Sequence, residues 1–176
     1  MPFELIIAQC KKLLPQAQMA FYRMFYQQVF QRSYALLKNA EQAEEIMQDV
    51  MLKMLQNIGS FRGDEKAMQK LLNKIAVNKS IDLLRKKQNI VFVDDESLTE
   101  QEEEEEQDME ETELFQSTVL QHLDTLPEGY RMVIALRIFE EIPFEEIGKK
   151  LNINASSARS QYVRGIKKLR EKVIGG

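Results

Sequence analysis

The 176 residues are 44% apolar and 30% charged, a composition able to bury a core at the size of one ordinary domain or two small ones. One cysteine cannot form an internal disulfide, and one histidine with one cysteine makes no ordinary zinc site, so stapled folds, a metal and a cofactor are not expected. The net charge of -4 hides segments of opposite sign: residues 94–113 hold thirteen acids and no base, whereas residues 1–93 (14 basic, 8 acidic) and 114–176 (10 basic, 7 acidic) are both basic, so partners must be inferred segment by segment.

At the N-terminus, Leu5 to Ala8 is a short apolar patch followed by Cys10, Lys11 and Lys12, without the long apolar core and cleavage site of a secretory signal. The longest apolar run anywhere, Met132 to Leu136, falls far short of the ~20 residues that a bilayer requires. A cytoplasmic chain with no membrane insertion is expected. Phe21, Met24, Phe25 and Val29, with Tyr22, Tyr26 and Phe30 beside them, form a wide aromatic stripe suited to a buried helix. A second helix opens at Asn39, a good N-cap with Gln42 three residues on, runs through Ala43, Ile46, Met47, Val50 and Met54, and ends near Gly59. The loop Ser60 to Asp64 leads into a third helix reaching about Lys87.

That third helix carries a polar surface. At 100 degrees per residue, Lys74, Asn78, Asp82 and Arg85 share one arc, while Leu72, Ala76 and Leu83 face elsewhere. Lys66 to Lys87 holds seven bases and one acid. Mixed Asn, Asp and Arg suit hydrogen bonding to base edges and phosphates better than a uniform lysine face would, although an ordinary polar helix face has the same pattern. Ile90 to Val93 reads as a short extended piece with no strand to pair it.

The acidic stretch Asp94 to Glu113, with the run Glu102 to Glu106, repels itself and has almost no apolar residues, so it reads as an extended linker. It is either a solubilising spacer or a segment that occupies a basic channel in a partner. Beyond it, helices are expected around Leu114 to Leu126 and from Pro127 to about Phe139. The chain is therefore read as all-α: a first helical domain over 1–93, a linker over 94–113 and a second helical domain over 114–176.

Pro143 to Lys172 has the grammar of a helix-turn-helix. A helix from about Phe144 to Leu151 places Gly148 where a second helix can cross closely, the turn Asn152-Ile153-Asn154 follows, and Asn154 can cap the next helix. In that next helix Ala158, Tyr162, Ile166 and Leu169 define a core face, while Ser157, Gln161, Arg164 and Lys168 project on another side. Eight bases against one acid between Lys149 and Lys172 fit phosphate contact and major-groove reading. A solvated basic face is the plain alternative.

No catalytic constellation accompanies these surfaces. There is no Gly-rich phosphate loop and no nucleophile with histidine in a familiar spacing. His122 has no obvious partner, Cys10 reads as a small apolar residue, and the acid pairs Glu44–Glu45 and Glu145–Glu146 point ~100 degrees apart on a helix. The chain is not expected to be an enzyme.

These residues resemble the extracytoplasmic-function group of bacterial RNA polymerase sigma factors, over about Pro15 to Val173. The domain-two pattern is similar to Ala40 through Val50, then Phe61-Arg62-Gly63-Asp64, then Ile75 to Asn78 and Asp82 to Arg85. The domain-four pattern is similar to Leu123 to Glu128, Phe144 to Gly148 and Ser157 to Gly165. The resemblance implies that Glu45, Gln48 and Asp49 dock on core RNA polymerase. It implies that the Phe61 to Asp64 loop, with Phe61 and Arg62, holds a base flipped from the minus-10 element of promoter DNA beside Lys74, Asn78, Asp82 and Arg85. Arg159, Ser160, Gln161 and Arg164 would enter the minus-35 groove, the linker would thread polymerase channels, and an anti-sigma factor is a further implied partner.

The chain departs from the family pattern at Leu71 and Asn73, where an aromatic pair is usual, so base stacking worth roughly 1–3 kcal/mol per base is lost there and strand opening leans more on Phe61 or its loop. Gln161 stands where a basic residue is commoner, and Pro143 replaces a serine cap. The other reading of the same residues is a stand-alone helix-turn-helix regulator whose first domain is a dimerisation or sensor bundle.

Overall fold

The computed structural model describes residues 1–86 and 113–175, and every regular element among them is helical. The order is α1 (Phe3–Lys11), α2 (Pro15–Leu37), α3 (Ala40–Gln56), a 3-10 turn (Ile58–Ser60), α4 (Glu65–Lys86), α5 (Glu113–His122), a 3-10 turn (Leu123–Thr125), α6 (Glu128–Ile138), α7 (Phe144–Leu151) and α8 (Ala155–Gly175). The chain divides into two compact units, Met1–Ser80 and Ile81–Gly176. The extended piece expected at Ile90 to Val93 and residues 94–112 of the linker expected at 94–113 lie outside the described residues, while Glu113, the last residue of that expected linker, opens α5. Among the described residues, no helix is long and apolar enough to cross a membrane.

The first unit forms because its helices carry apolar faces at three- and four-residue spacing. Pro15 starts α2, its fixed φ suiting the first helical position. Phe21, Phe25 and Val29 become fully buried, and Phe21 and Phe25 pack with ring centroids 5.0 Å apart. Lys38, in the left-handed conformation, closes α2 by donating its N–H to Tyr34 O at 2.8 Å. The next residue, Asn39, caps α3, its Oδ1 accepting from Gln42 N at 3.0 Å, so α3 folds back on α2 and buries Ala43, Met47, Val50 and Met51.

An element absent from the sequence reading, α1, adds Phe3, Ile6, Ile7 and Cys10 to this core. Burial pushes the Cys10 thiol pKa up, so it stays protonated and packs as a small apolar group. Phe3 meets both Phe25 and Phe61 edge-on, at 6.2 and 6.3 Å between centroids. Gln28 of α2 donates to Asn73 Oδ1 of α4 at 3.4 Å, and Met68, Leu72 and Ala76 of α4 are fully buried.

The second unit is built around α6, whose residues Met132 to Leu136 are all inaccessible to solvent. Arg131 is also buried, and its guanidinium donates to Leu126 O at 3.0 Å, tying α6 to the turn before it. Gly165 of α8 sits against Ile134 and Tyr130, so close that a Cβ there would lie 2.7 Å from Ile134 Cδ1.

Candidate nucleic-acid interface

The helix-turn-helix forms from three backbone devices. Asn152 takes the left-handed conformation (φ 58, ψ 44) that ends α7, which asparagine tolerates better than most residues. The N–H of Ile153 then bonds Gly148 O at 2.9 Å. A Cβ on Gly148 would stand 2.5 Å from Ile153 O, so only glycine permits this closure. Finally Asn154 Oδ1 accepts from Ser157 N at 2.7 Å and from Ser156 Oγ at 2.9 Å, capping α8.

Pro143 occupies the N-cap of α7 with extended dihedrals and no side-chain bond, and Phe144 and Tyr162 join α7 to α8 with centroids 5.7 Å apart. Along α8 the expected core residues Ala158, Tyr162, Ile166 and Leu169 are all buried. Lys168 is exposed, its Nζ 6.0 Å from the Tyr130 ring centroid. Arg159 and Arg164 are half-buried. Ser157, Ser160 and Gln161, expected to face a groove, are instead 9, 3 and 2% exposed. The helical wheel underestimates this because α8 is covered over more of its circumference than one apolar face.

Along α4, Lys74, Asp82 and Arg85 are exposed and Asn78 is half-buried, on the side away from buried Leu72 and Ala76. The N-terminus of α4 is fixed by Asp64, whose Oδ1 accepts from Ala67 N at 2.8 Å. Gly63 just before it has φ 145, in the region that favours glycine, and a Cβ there would press to 2.9 Å from that of Ala67. Phe61 does not present its ring for stacking on a base. It is 9% exposed and packs edge-on against Phe3, because α1 supplies an aromatic neighbour unseen in the sequence reading. Arg62 stays exposed, its Nη1 donating to Gly59 O at 2.9 Å and Phe61 O at 2.8 Å.

Exposed Leu71 and half-buried Asn73 occupy the positions of the missing aromatic pair, and the Asn73 amide is already engaged by Gln28. On α3, Glu45 and Gln48 are exposed, and Gln48 Nε2 donates to Glu44 Oε1 at 3.3 Å. Asp49 differs from them: it lies 2.7 Å from Lys79 and 3.2 Å from Lys53. Sequence reasoning missed Lys79, since a contact between two helices has no periodic signature.

The sigma-70 region 2 family matches residues 21–90 and the sigma-70 region 4 family residues 122–171, one covering α2 to α4 and the other the helix-turn-helix. The chain is 30% identical to the ECF RNA polymerase sigma factor SigW of Bacillus subtilis (strain 168) over 177 residues, 95% of this chain and 94% of SigW. It is 29% identical to the RNA polymerase sigma factor SigV of the same strain over 144 residues, 82% of this chain and 83% of SigV. With the ECF sigma factor SigX of that strain it shares 26% over 160 residues, 85% and 80% of the two chains. Two family regions in order on a capped helical scaffold, with relatives aligned nearly end to end, place this chain in the sigma-70 family of RNA polymerase sigma factors, in its extracytoplasmic-function group.

Proposed function

We propose that the protein binds core RNA polymerase through α3, holds an unpaired minus-10 strand on the Arg62 loop and the polar arc of α4, and reads minus-35 duplex with α8. The observation that carries this reading is the glycine-closed, asparagine-capped helix-turn-helix followed by a basic helix, on one chain with a separate helical unit that matches region 2. Glu45 and Gln48 are the exposed polar groups offered to the polymerase, and Lys74, Asn78, Asp82 and Arg85 line the path of the strand. On α8, Arg164 and Lys168 contact phosphates, and Arg159, Ser160 and Gln161 approach base edges once uncovered. Weak binding of promoter duplex without polymerase separates this reading from a stand-alone regulator. Binding energy does all the work, and an anti-sigma factor that covers these faces would be an inhibitor.

The test is transcription of sheared genomic DNA by core polymerase of the source organism, with and without the protein, with RNA 5' ends mapped. New starts sharing two upstream elements are expected. Tight binding to palindromic duplex without polymerase, with no new starts, would overturn the reading in favour of the regulator.

A further inference from the structure

Two cations from different elements converge on one oxygen. The carbonyl of Phe61 accepts from Lys11 Nζ at 3.2 Å and from Arg62 Nη1 at 2.8 Å. Arg62 Nη1 is held a second time, by Gly59 O at 2.9 Å. Lys11 belongs to the last turn of α1, ahead of residues 21–90 that match region 2. Both side chains belong to exposed residues, and among the described residues neither forms an ion pair with a carboxylate. The neighbouring acid, Asp64, is committed to the N–H of Ala67. Of the carbonyls at the end of α1, Gln9 O is taken by the N–H groups of Lys12 and Leu14, and Cys10 O by that of Leu13.

Neutral carbonyls thus fix the positions of two positive charges without cancelling them. Their separation is bounded by two hydrogen bonds to a common oxygen, a span that the two free oxygens of one phosphodiester can bridge, and charge-assisted bonds to phosphate are the strong kind.

We propose that Lys11 and Arg62 form a seat for one backbone phosphate of the unpaired DNA strand, next to the nucleotide held by the Arg62 loop. The inference rests on the minus-10 reading of that loop. The seat carries no base information: it fixes the strand's register so that the loop meets the right nucleotide. The edge-on packing of Phe61 on Phe3 holds the shared carbonyl at the rim of α1, which gives the buried ring a purpose other than stacking.

The experiment measures holoenzyme affinity for a single-stranded minus-10 oligonucleotide against salt, with uncharged methylphosphonate placed at each linkage in turn. K11M is expected to weaken binding about fivefold, equally for every base at the flipped position, and to reduce the salt slope by about 0.7, the increment of one single-strand phosphate contact. One methylphosphonate linkage should abolish the difference between wild type and K11M, and K11R should restore binding. A change in base discrimination at constant salt slope would overturn the seat and make Lys11 a positioning residue for the loop. Equal binding by wild type and K11M at every linkage would also overturn it. Failure of wild-type holoenzyme to bind the oligonucleotide at all would instead sink the minus-10 reading itself.

Discussion

Asp49 of α3 and Lys79 of α4 meet at 2.7 Å, and Lys53 adds a second contact to the same Asp49 oxygen at 3.2 Å. The hydrogen bond from Lys79, followed by the smaller effect of Lys53, holds the Asp49 carboxyl below the usual aspartate range. A depressed carboxyl contributes stability that is fully present above its unfolded pKa and is lost as pH falls through the lower folded value. Both side chains are partly open to solvent, 28% exposed for Lys79 and 45% for Asp49, so solvent screening keeps the contribution to at most about 1 kcal/mol. D49N should therefore lower the urea midpoint slightly at pH 7, and the difference from wild type should vanish as the solution is acidified below the ordinary aspartate pKa of ~4. A difference that persists in acid would show that packing, not charge, ties α3 to α4.

The same pair makes a distinction for polymerase binding. K79M leaves the Asp49 carboxylate in place with Lys53 beside it, whereas D49N removes it. If the carboxylate itself docks on the polymerase, D49N weakens core binding and K79M does not. Equal losses in both, read by fluorescence anisotropy with labelled core, would mean that the clasp matters only by orienting α4.

Gly148 and Gly59 give opposite expectations from the same substitution. A Cβ on Gly148 would lie 2.5 Å from the backbone oxygen of Ile153, while nothing stands within 4 Å of one on Gly59. Backbone cannot swing aside as a side-chain tip can, so Gly148→Ala must prise α7 from the turn, at a cost of about 1–3 kcal/mol. Gly59→Ala should leave stability within about 0.5 kcal/mol. Thermal unfolding checks both, and Gly148→Ala should also lose minus-35 duplex binding. A neutral Gly148→Ala would mean that the turn is wider than described.

The helix-turn-helix was legible in the sequence because each of its devices is local: the small residue, the left-handed Asn152 and the cap at Asn154 lie within seven residues of one another. The caps of α3 and α4 are local too, and the expected helix ends fall within about four residues of those observed. Coverage was not legible. A helical wheel shows which side of α8 is apolar, but not how much more of the helix other parts of the chain enclose, so Ser157, Ser160 and Gln161 were expected in the open. The burial of Phe61 was not legible for a related reason: its partner Phe3 is 58 positions away on a nine-residue helix whose apolar pattern is too short to stand out.

Asn154 permits a test of how far the cap alone secures α8. Its Oδ1 serves the N–H of Ser157 and the hydroxyl of Ser156, and replacing such a cap by alanine costs typically ~1 kcal/mol. Asn154→Ala should lower the melting temperature and speed amide exchange of Ser157, while Asn154→Asp, which keeps the acceptor and suits the positive end of the helix, should hold or raise both. If Asn154→Ala exchanges no faster at Ser157, the α7–α8 turn is secured by Gly148 and Ile153 alone.

Arg131 poses the opposite problem, a charge that burial should penalise. It is 4% exposed, donates to Leu126 O at 3.0 Å, and stands 3.7 Å from Glu128. Desolvation lowers its pKa, and attraction to Glu128 and Asp124 opposes that, yet a guanidinium remains charged throughout the physiological range. Two forces therefore compete in any substitution. Arg131→Ala loses the bond to Leu126 and the packing of the stem, and should cost about 2–4 kcal/mol. Arg131→Met keeps the stem and removes both the bond and the desolvation penalty, so it should cost less. Because Arg131 does not titrate near neutrality, both losses should be the same at pH 6 and pH 9. Chemical denaturation of the two variants decides which force dominates: a methionine variant as stable as wild type would mean that burying the charge costs as much as its bond to Leu126 returns, and Arg131 would then serve to fix the α6 turn in one geometry without adding to stability.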